Sequence, residues 1–220
     1  MCDRQGVSCI SNNVDALTLN GGLLTSLPHS IGDLIYLSSL EVSNNQLTSF
    51  PDEIGNLGSL QNLAFDNNDF SYLPDNIGNL TNLLSLSAES NQITGVTSNI
   101  GNLYSLTALD LAHNAITSLP DQIGNLQAIQ TLILNDNQLT ILPDSITNLL
   151  TLGSFTLSDN GLTSLPDDFG ALTNLSDLEL DNNQLTSIPD SIRNLDNLNT
   201  LYLDHNRLTT LPTDLFVGIG

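Results

Sequence analysis

The sequence contains no lysine and no tryptophan, and only three arginines and two cysteines among its 220 residues. Without lysine, the Schiff-base and other chemistry of a lysine amine is excluded. Against the three arginines stand 24 acidic residues, for a formal net charge of -21. Such a surface repels phosphate backbones and anionic lipid headgroups, so neither nucleic acid nor an anionic membrane surface is expected as a partner. It suits cationic partners, calcium-rich or salty surroundings, and solubility. No apolar run reaches the roughly 18–20 residues of a membrane-spanning helix, and no secretory signal is visible. Met1-Cys2 reads as a start placed just after a removed leader. The hydrophobic content of 40% excludes a disordered acidic tail.

What the chain has in abundance is repetition. Written in rows of 23 from Val14, it falls into register without a gap, the rows beginning at Val14, Leu37, Leu60, Leu83, Leu106, Ile129, Leu152, Leu175 and Leu198. The domain expectation is therefore an amino-terminal cap over residues 1–13 and nine repeats over 14–220. Each row follows L-x-x-L-x-L-x-x-N-x-L-T-x-L-P-x-x-I-G-N-L-x-x. The stretch Leu178-Glu179-Leu180 alternates apolar and polar residues, as a half-buried strand does. Leu185, Ile188, Ile192 and Leu195 are predicted to point inward from the returning arc. Pro189 stands where the chain needs no ladder donor, and Asp190 is expected to cap a short helical turn. The same Pro-Asp pair recurs at 51–52, 74–75, 120–121, 143–144 and 166–167, so six acids are read as caps. Row four departs: Thr97 replaces proline and Gly95 precedes Val96, which allows a kink or plain drift.

The pattern resembles the leucine-rich repeat, and its "LPxxIGNL" tail resembles repeats of plant-type extracellular receptors. The resemblance covers Val14–Gly220. It implies an α/β solenoid, a horseshoe with a parallel β-sheet on the concave face and short helical or irregular turns on the convex face. It also implies that the asparagine column (Asn45, Asn68, Asn91, Asn114, Asn137, Asn160, Asn183, Asn206) bonds to backbone groups of adjacent rows, with Gly22 in that place in row one. The threonine column, Thr25 to Thr209, is read as a further ladder. An ice- or mineral-matching array is the alternative, and it lacks a second parallel rank.

"CDRQGVSCISNN", Cys2–Asn13, resembles the end of the cap in plant-type extracellular leucine-rich repeat proteins, where two cysteines flank a G-V pair. The usual tryptophan is missing. The resemblance implies a disulfide between Cys2 and Cys9, and with it an oxidising compartment, in a secreted protein or an ectodomain. A metal pair is the rival reading, but no histidine or further cysteine lies near enough to complete four ligands. Asn79 and Asn174 begin glycosylation sequons on the outer arc, although the repeat consensus "GNLTNL" makes sequons by accident. The apolar end, Leu211–Gly220, is expected to pack on itself or a partner or to be continued by further chain.

No zinc-protease, nucleophile-elbow or phosphate-loop motif is present, and no catalytic residue, cofactor or metal site is assigned. His113 and His205 occupy the same repeat position four rows apart, roughly 19 Å at the usual strand spacing, too far to share a proton or a metal. The chain is therefore expected not to be an enzyme. Binding falls to the variable concave positions. These hold eleven acids (Asp15, Glu41, Asp66, Glu89, Asp110, Asp136, Asp159, Asp177, Glu179, Asp181, Asp204) and no lysine or arginine. The few large apolar residues there are Leu84, Ile133 and Tyr202. One predicted contact zone is Glu179, Asp181, Tyr202, Asp204, His205 and Arg207; Tyr202 and Arg207 supply the chemistry that dominates protein interfaces. A second is Asp110, His113, Ile133, Asn135 and Asp136. The leading expectation is an extracellular recognition module for a basic protein or peptide. The alternative is an adhesive or matrix protein that binds calcium weakly through pairs such as Asp159–Asp181 or Glu179–Asp204.

Overall fold

The computed structural model describes residues 6–10 and 13–213, the first strand in its backbone alone. The repeat becomes one ten-stranded sheet in chain order. A short hairpin opens it: β1 (Val7–Ile10) pairs antiparallel with β2 (Asn13–Thr18). Eight three-residue strands follow in parallel: β3 (Ser39–Glu41), β4 (Asn62–Ala64), β5 (Ser85–Ser87), β6 (Ala108–Asp110), β7 (Thr131–Ile133), β8 (Ser154–Thr156), β9 (Asp177–Glu179) and β10 (Thr200–Tyr202). Each residue pairs with its equivalent one row on, as Leu40 with Leu63 and Leu63 with Leu86. The sheet is open, and the solenoid matches the horseshoe expected. Cys2 lies outside the described residues and Cys9 is described in its backbone alone, so the disulfide reading falls outside them, as does the chain beyond Thr213.

Alternation decides what is buried. The central strand leucine points inward and is sealed in every interior row: Leu40, Leu63, Leu86, Leu109, Leu132 and Leu178, with Phe155 in row seven. From the arc, Leu185, Ile188, Ile192 and Leu195 are buried as expected. Phe50, Phe65 and Phe70 pack edge-on or tilted, with ring centroids 4.6–5.0 Å apart. Leu198, Leu201, Leu203 and Leu208 of the last row are only partly buried against this core.

The asparagine column forms the predicted ladder. Asn137 donates through Nδ2 to the carbonyls of Leu134 (3.1 Å) and Leu111 (2.9 Å), and its Oδ1 accepts from the Ile116 amide at 2.9 Å. Asn68 and Asn183 repeat the geometry. One donated bond stays within the row, and the other, with the accepted bond, joins it to the row before, so the buried amide has its partners.

Two expectations need correction. The outer turns are 3-10 helices, most of five residues such as Asp121–Asn125, and proline occupies the flanking cap position in extended geometry. The aspartate after it is the first turn residue, and no cap hydrogen bond forms from a side chain there. Two of these acids are met from the next row: Asp52 Oδ1 accepts from Asn76 Nδ2 at 3.1 Å, and Asp75 Oδ1 from the Thr97 hydroxyl. The departure in row four supplies the one capping side chain among these turns, because Thr97 accepts from the Asn99 amide and donates to Asp75. Gly95 keeps a negative φ, so nothing is strained there. The threonine column is exposed, and its rungs are mostly main-chain, as Thr117 N to Thr94 O at 3.3 Å. A side-chain rung joins Thr94 Oγ1 to Ser71 O at 3.4 Å.

Candidate functional site

The concave face is built from the outward residues of the strands and the bend that follows each. At that bend one residue per row is left-handed, with φ of 52–59° at Asn44, Asn67, Ser90, His113, Asp136, Asp159, Asn182 and His205. Gly21 takes the place in row one. Short polar side chains tolerate this region better than branched ones do. His113, Asp136 and His205, predicted as contact residues, therefore also have a backbone role. The residue just before the bend carries a second polar ladder that the sequence did not reveal. The Oδ1 atoms of Asn20, Asp66 and Asn135 accept from the amides of Ser43, Glu89 and Ser158 at 2.7–2.9 Å.

These ladders separate occupied polar groups from free ones. In the carboxyl-terminal zone, Asp181 accepts from the Ser158 hydroxyl and from Asn182 Nδ2 at 2.9 Å. Glu179 and Asp204 have no side-chain hydrogen bond among the described residues, and Asp204, Tyr202, His205 and Arg207 are exposed. Glu179 and Tyr202 are register partners on β9 and β10. Arg207 makes no ion pair among the described residues.

The second zone is more tightly knit. His113 stands between two carboxylates, with Nδ1 3.1 Å from Asp136 Oδ2 and Nε2 3.9 Å from Glu89 Oε1. Asp110, half-buried on β6, accepts from the Ala112 amide at 3.0 Å. Burial holds its carboxyl above the usual range, and the like charges of Glu89 and Asp66 add to the rise. Ile133 is its register partner on β7. Asn135 is spent on the ladder. The structure thus brings each zone together along neighbouring strands and leaves the two zones separate.

Among the described residues no group of three or more His, Cys, Asp or Glu is placed to hold a metal ion, and no helix is long and apolar enough to cross a membrane. The Asp159–Asp181 calcium pair would compete with the bonds already made to Asp181. Of the sequons, exposed Asn79 ends an outer turn, whereas Asn174 Nδ2 donates to Leu150 O at 2.6 Å, a bond that a glycan on that nitrogen would break.

Three leucine-rich repeat families match: "Leucine-rich repeat region" over residues 94–182, "Leucine rich repeat" over 173–219 and "Leucine Rich Repeat" over 36–57. No curated protein sequence matches. Solved structures do. An LRR protein of Leptospira interrogans is 39% identical over 89% of this chain and 50% of its own, with a TM-score of 0.85. The LRR ectodomain of the receptor kinase GASSHO1/SCHENGEN3 from Arabidopsis thaliana, solved with CASPARIAN STRIP INTEGRITY FACTOR 2, is 35% identical over 96% of this chain and 26% of its own, also at 0.85. The Arabidopsis receptor kinase HAESA, solved with the peptide hormone IDA and the co-receptor SERK1, is 26% identical over 98% of this chain and 43% of its own, at 0.75. The chain spans half or less of the length of each. Register, core, asparagine ladder and these matches agree: the chain is a leucine-rich repeat protein, similar to plant-type extracellular ones.

Proposed function

We propose that the chain is an extracellular recognition module that holds a protein or peptide of basic character against its acidic concave face. The observation that carries this reading is the state of the carboxyl-terminal strip. Glu179 and Asp204 are free of side-chain partners among the described residues, and they flank the half-exposed Tyr202. That arrangement offers an aromatic anchor between two uncompensated charges, with Arg207 at its edge. Support comes from the similar receptor ectodomain solved with CASPARIAN STRIP INTEGRITY FACTOR 2 and the similar receptor kinase solved with a peptide hormone. The role proposed is binding, in keeping with the leucine-rich repeat scaffold the chain shares with those receptors.

The test is titration of an acetylated, amidated decapeptide of alternating arginine and glycine. E179Q/D204N is expected to weaken binding about tenfold, on the order of 1.4 kcal/mol. D121N/D190N removes the same charge from the outer arc and is expected to leave binding within about twofold. Equal losses in both variants would reduce the concave face to bulk charge.

A further inference from the structure

The outer arc is not uniform, and glycine shows why. In rows one to five and in row seven, the residue after the buried isoleucine or phenylalanine of the outer turn is glycine. A Cβ there would strike the next row: 2.6 Å from Glu53 O at Gly32, 2.5 Å from Asn99 O at Gly78, 2.4 Å from Ser145 O at Gly124 and 1.8 Å from Ser191 O at Gly170. Row six has Thr147 at this place. The residue its Cβ would meet is Asp168, and row seven has yielded there. Its turn is cut to Phe169–Ala171, and Asp168, whose equivalents in the other rows lie inside the turn, stands outside it at φ -90° and ψ 22°.

A second change acts in the same direction. In three other row pairs the residue at the place of Asp168 donates to the row before: Asn76 to Asp52 O, Asn99 to Asp75 O and Ser191 to Asp167 O, at 2.6–3.2 Å. A carboxylate cannot donate. The Asp144 carbonyl is taken instead by Thr147 Oγ1 of its own turn, at 2.7 Å. The result is a cleft of about 500 Å³ between rows six and seven. Its floor is Leu142, Leu165 and Pro166, and Asp144, Asp167 and Asp168 ring it. At its mouth stands Ile141, 59% exposed where most rows carry serine.

We propose that this cleft is a second docking site, on the convex side, for a basic segment of a partner protein, and that it takes an arginine or lysine whose apolar stem lies on the leucines while its cation meets the aspartates. Charge and shape both fit. Long cationic side chains bury their methylenes against apolar surface and keep the head among polar groups, and Asp144, Asp167 and Asp168 make no ion pair among the described residues. Ile141 supplies an apolar contact for a neighbouring residue of the same segment. The site owes its existence to Thr147 and Asp168 and is separate from the concave strip.

The test follows methyl resonances of the whole chain during titration with acetyl-Leu-Arg-Leu-amide, with acetyl-Leu-Glu-Leu-amide as control. The basic peptide is expected to shift Ile141, Leu142 and Leu165, and the acidic one to shift none of them. T147G/D168N, which lets the arc close, is expected to weaken this response at least tenfold. D144N/D167N keeps the shape and removes charge, and is expected to weaken it about fivefold. E179Q/D204N should leave it unchanged, so the cleft and the concave face stand or fall apart. Shifts confined to the concave strands, an equal response to the acidic peptide, or undiminished binding by both cleft variants would overturn the proposal.

Discussion

The strand side and the outer arc obey the same 23-residue period, yet only one of them keeps it throughout. Along the sheet every pairing holds register from β2 to β10. Along the arc the stacking loosens between rows six and seven, where consecutive outer turns touch least. The difference lies in what holds each side. The sheet is held by backbone bonds and the asparagine ladder, which no outward side chain can disturb. The arc is held by the absence of a side chain, so one β-carbon in the wrong column can open it.

That contrast can be broken at either side. Asn137→Ala should be the costliest change, because it leaves the Ile116 amide unpaired in the core and removes one of the two donors to each of the Leu111 and Leu134 carbonyls, which Asn114 and Asn160 still meet. At roughly 1–3 kcal/mol for the buried amide left unmet and about 0.5–1.5 kcal/mol for each further bond lost, we expect a loss of about 2–4 kcal/mol in denaturant unfolding. Gly124→Ala should cost about 1–3 kcal/mol, the usual range for overpacking, and should open a gap between rows five and six like the one after Thr147. A loss below a few tenths of a kcal/mol would mean that the glycine column does not govern stacking. T147G/D168N should restore a longer outer turn through Asp167 and Asp168, visible as new amide protection there. Its net stability should change by no more than about 1 kcal/mol, since glycine's added backbone entropy offsets the gained contact.

Two smaller effects test the electrostatics. The Asp110 carboxyl is held above its usual range in the fold, so the folded chain binds that proton more readily than the unfolded chain. Its penalty is present at neutral pH and disappears as pH falls through the folded value. Asp110→Asn should therefore raise Tm at pH 7, and the gain should vanish in acid; a gain independent of pH would contradict that cause. His29 and Glu53 pair at 2.7 Å on the surface, and their hydrogen bond raises the histidine and lowers the glutamate. The histidine's contribution is complete below its unfolded value of 6.5 and lost as pH rises through its higher folded value. The glutamate's is present above its unfolded value of 4.5 and lost as pH falls through its lower folded value. His29→Ala should thus lower Tm by roughly a degree or less near pH 5.5, with no change at pH 8.5.

Much of this was legible from residue order. The inward leucines and the parallel sheet follow from period and polarity, because each is set by a row and its nearest neighbour, and the asparagine ladder is what the resemblance to the leucine-rich repeat implies. The left-handed bend was visible only as a run of Asn, Asp, Ser and His, which reads equally well as a binding surface; the positive φ adds a backbone role. The ladder of Asn20, Asp66 and Asn135 was hidden because its acceptors look like free concave acids and amides. The aspartates after proline misled because capping depends on which residue enters the turn first, and proline already fills the cap position. Thr147 and Asp168 stand out in the sequence, but their consequence depends on what faces them one row on.

The most direct check on the central claim is the affinity of the arginine-glycine decapeptide at about 50 mM and then about 500 mM sodium chloride, over which screening shortens severalfold. Docking on the acidic concave face predicts at least a tenfold loss for the parent chain and a clearly smaller one for E179Q/D204N. Affinity that holds or rises with salt would contradict it.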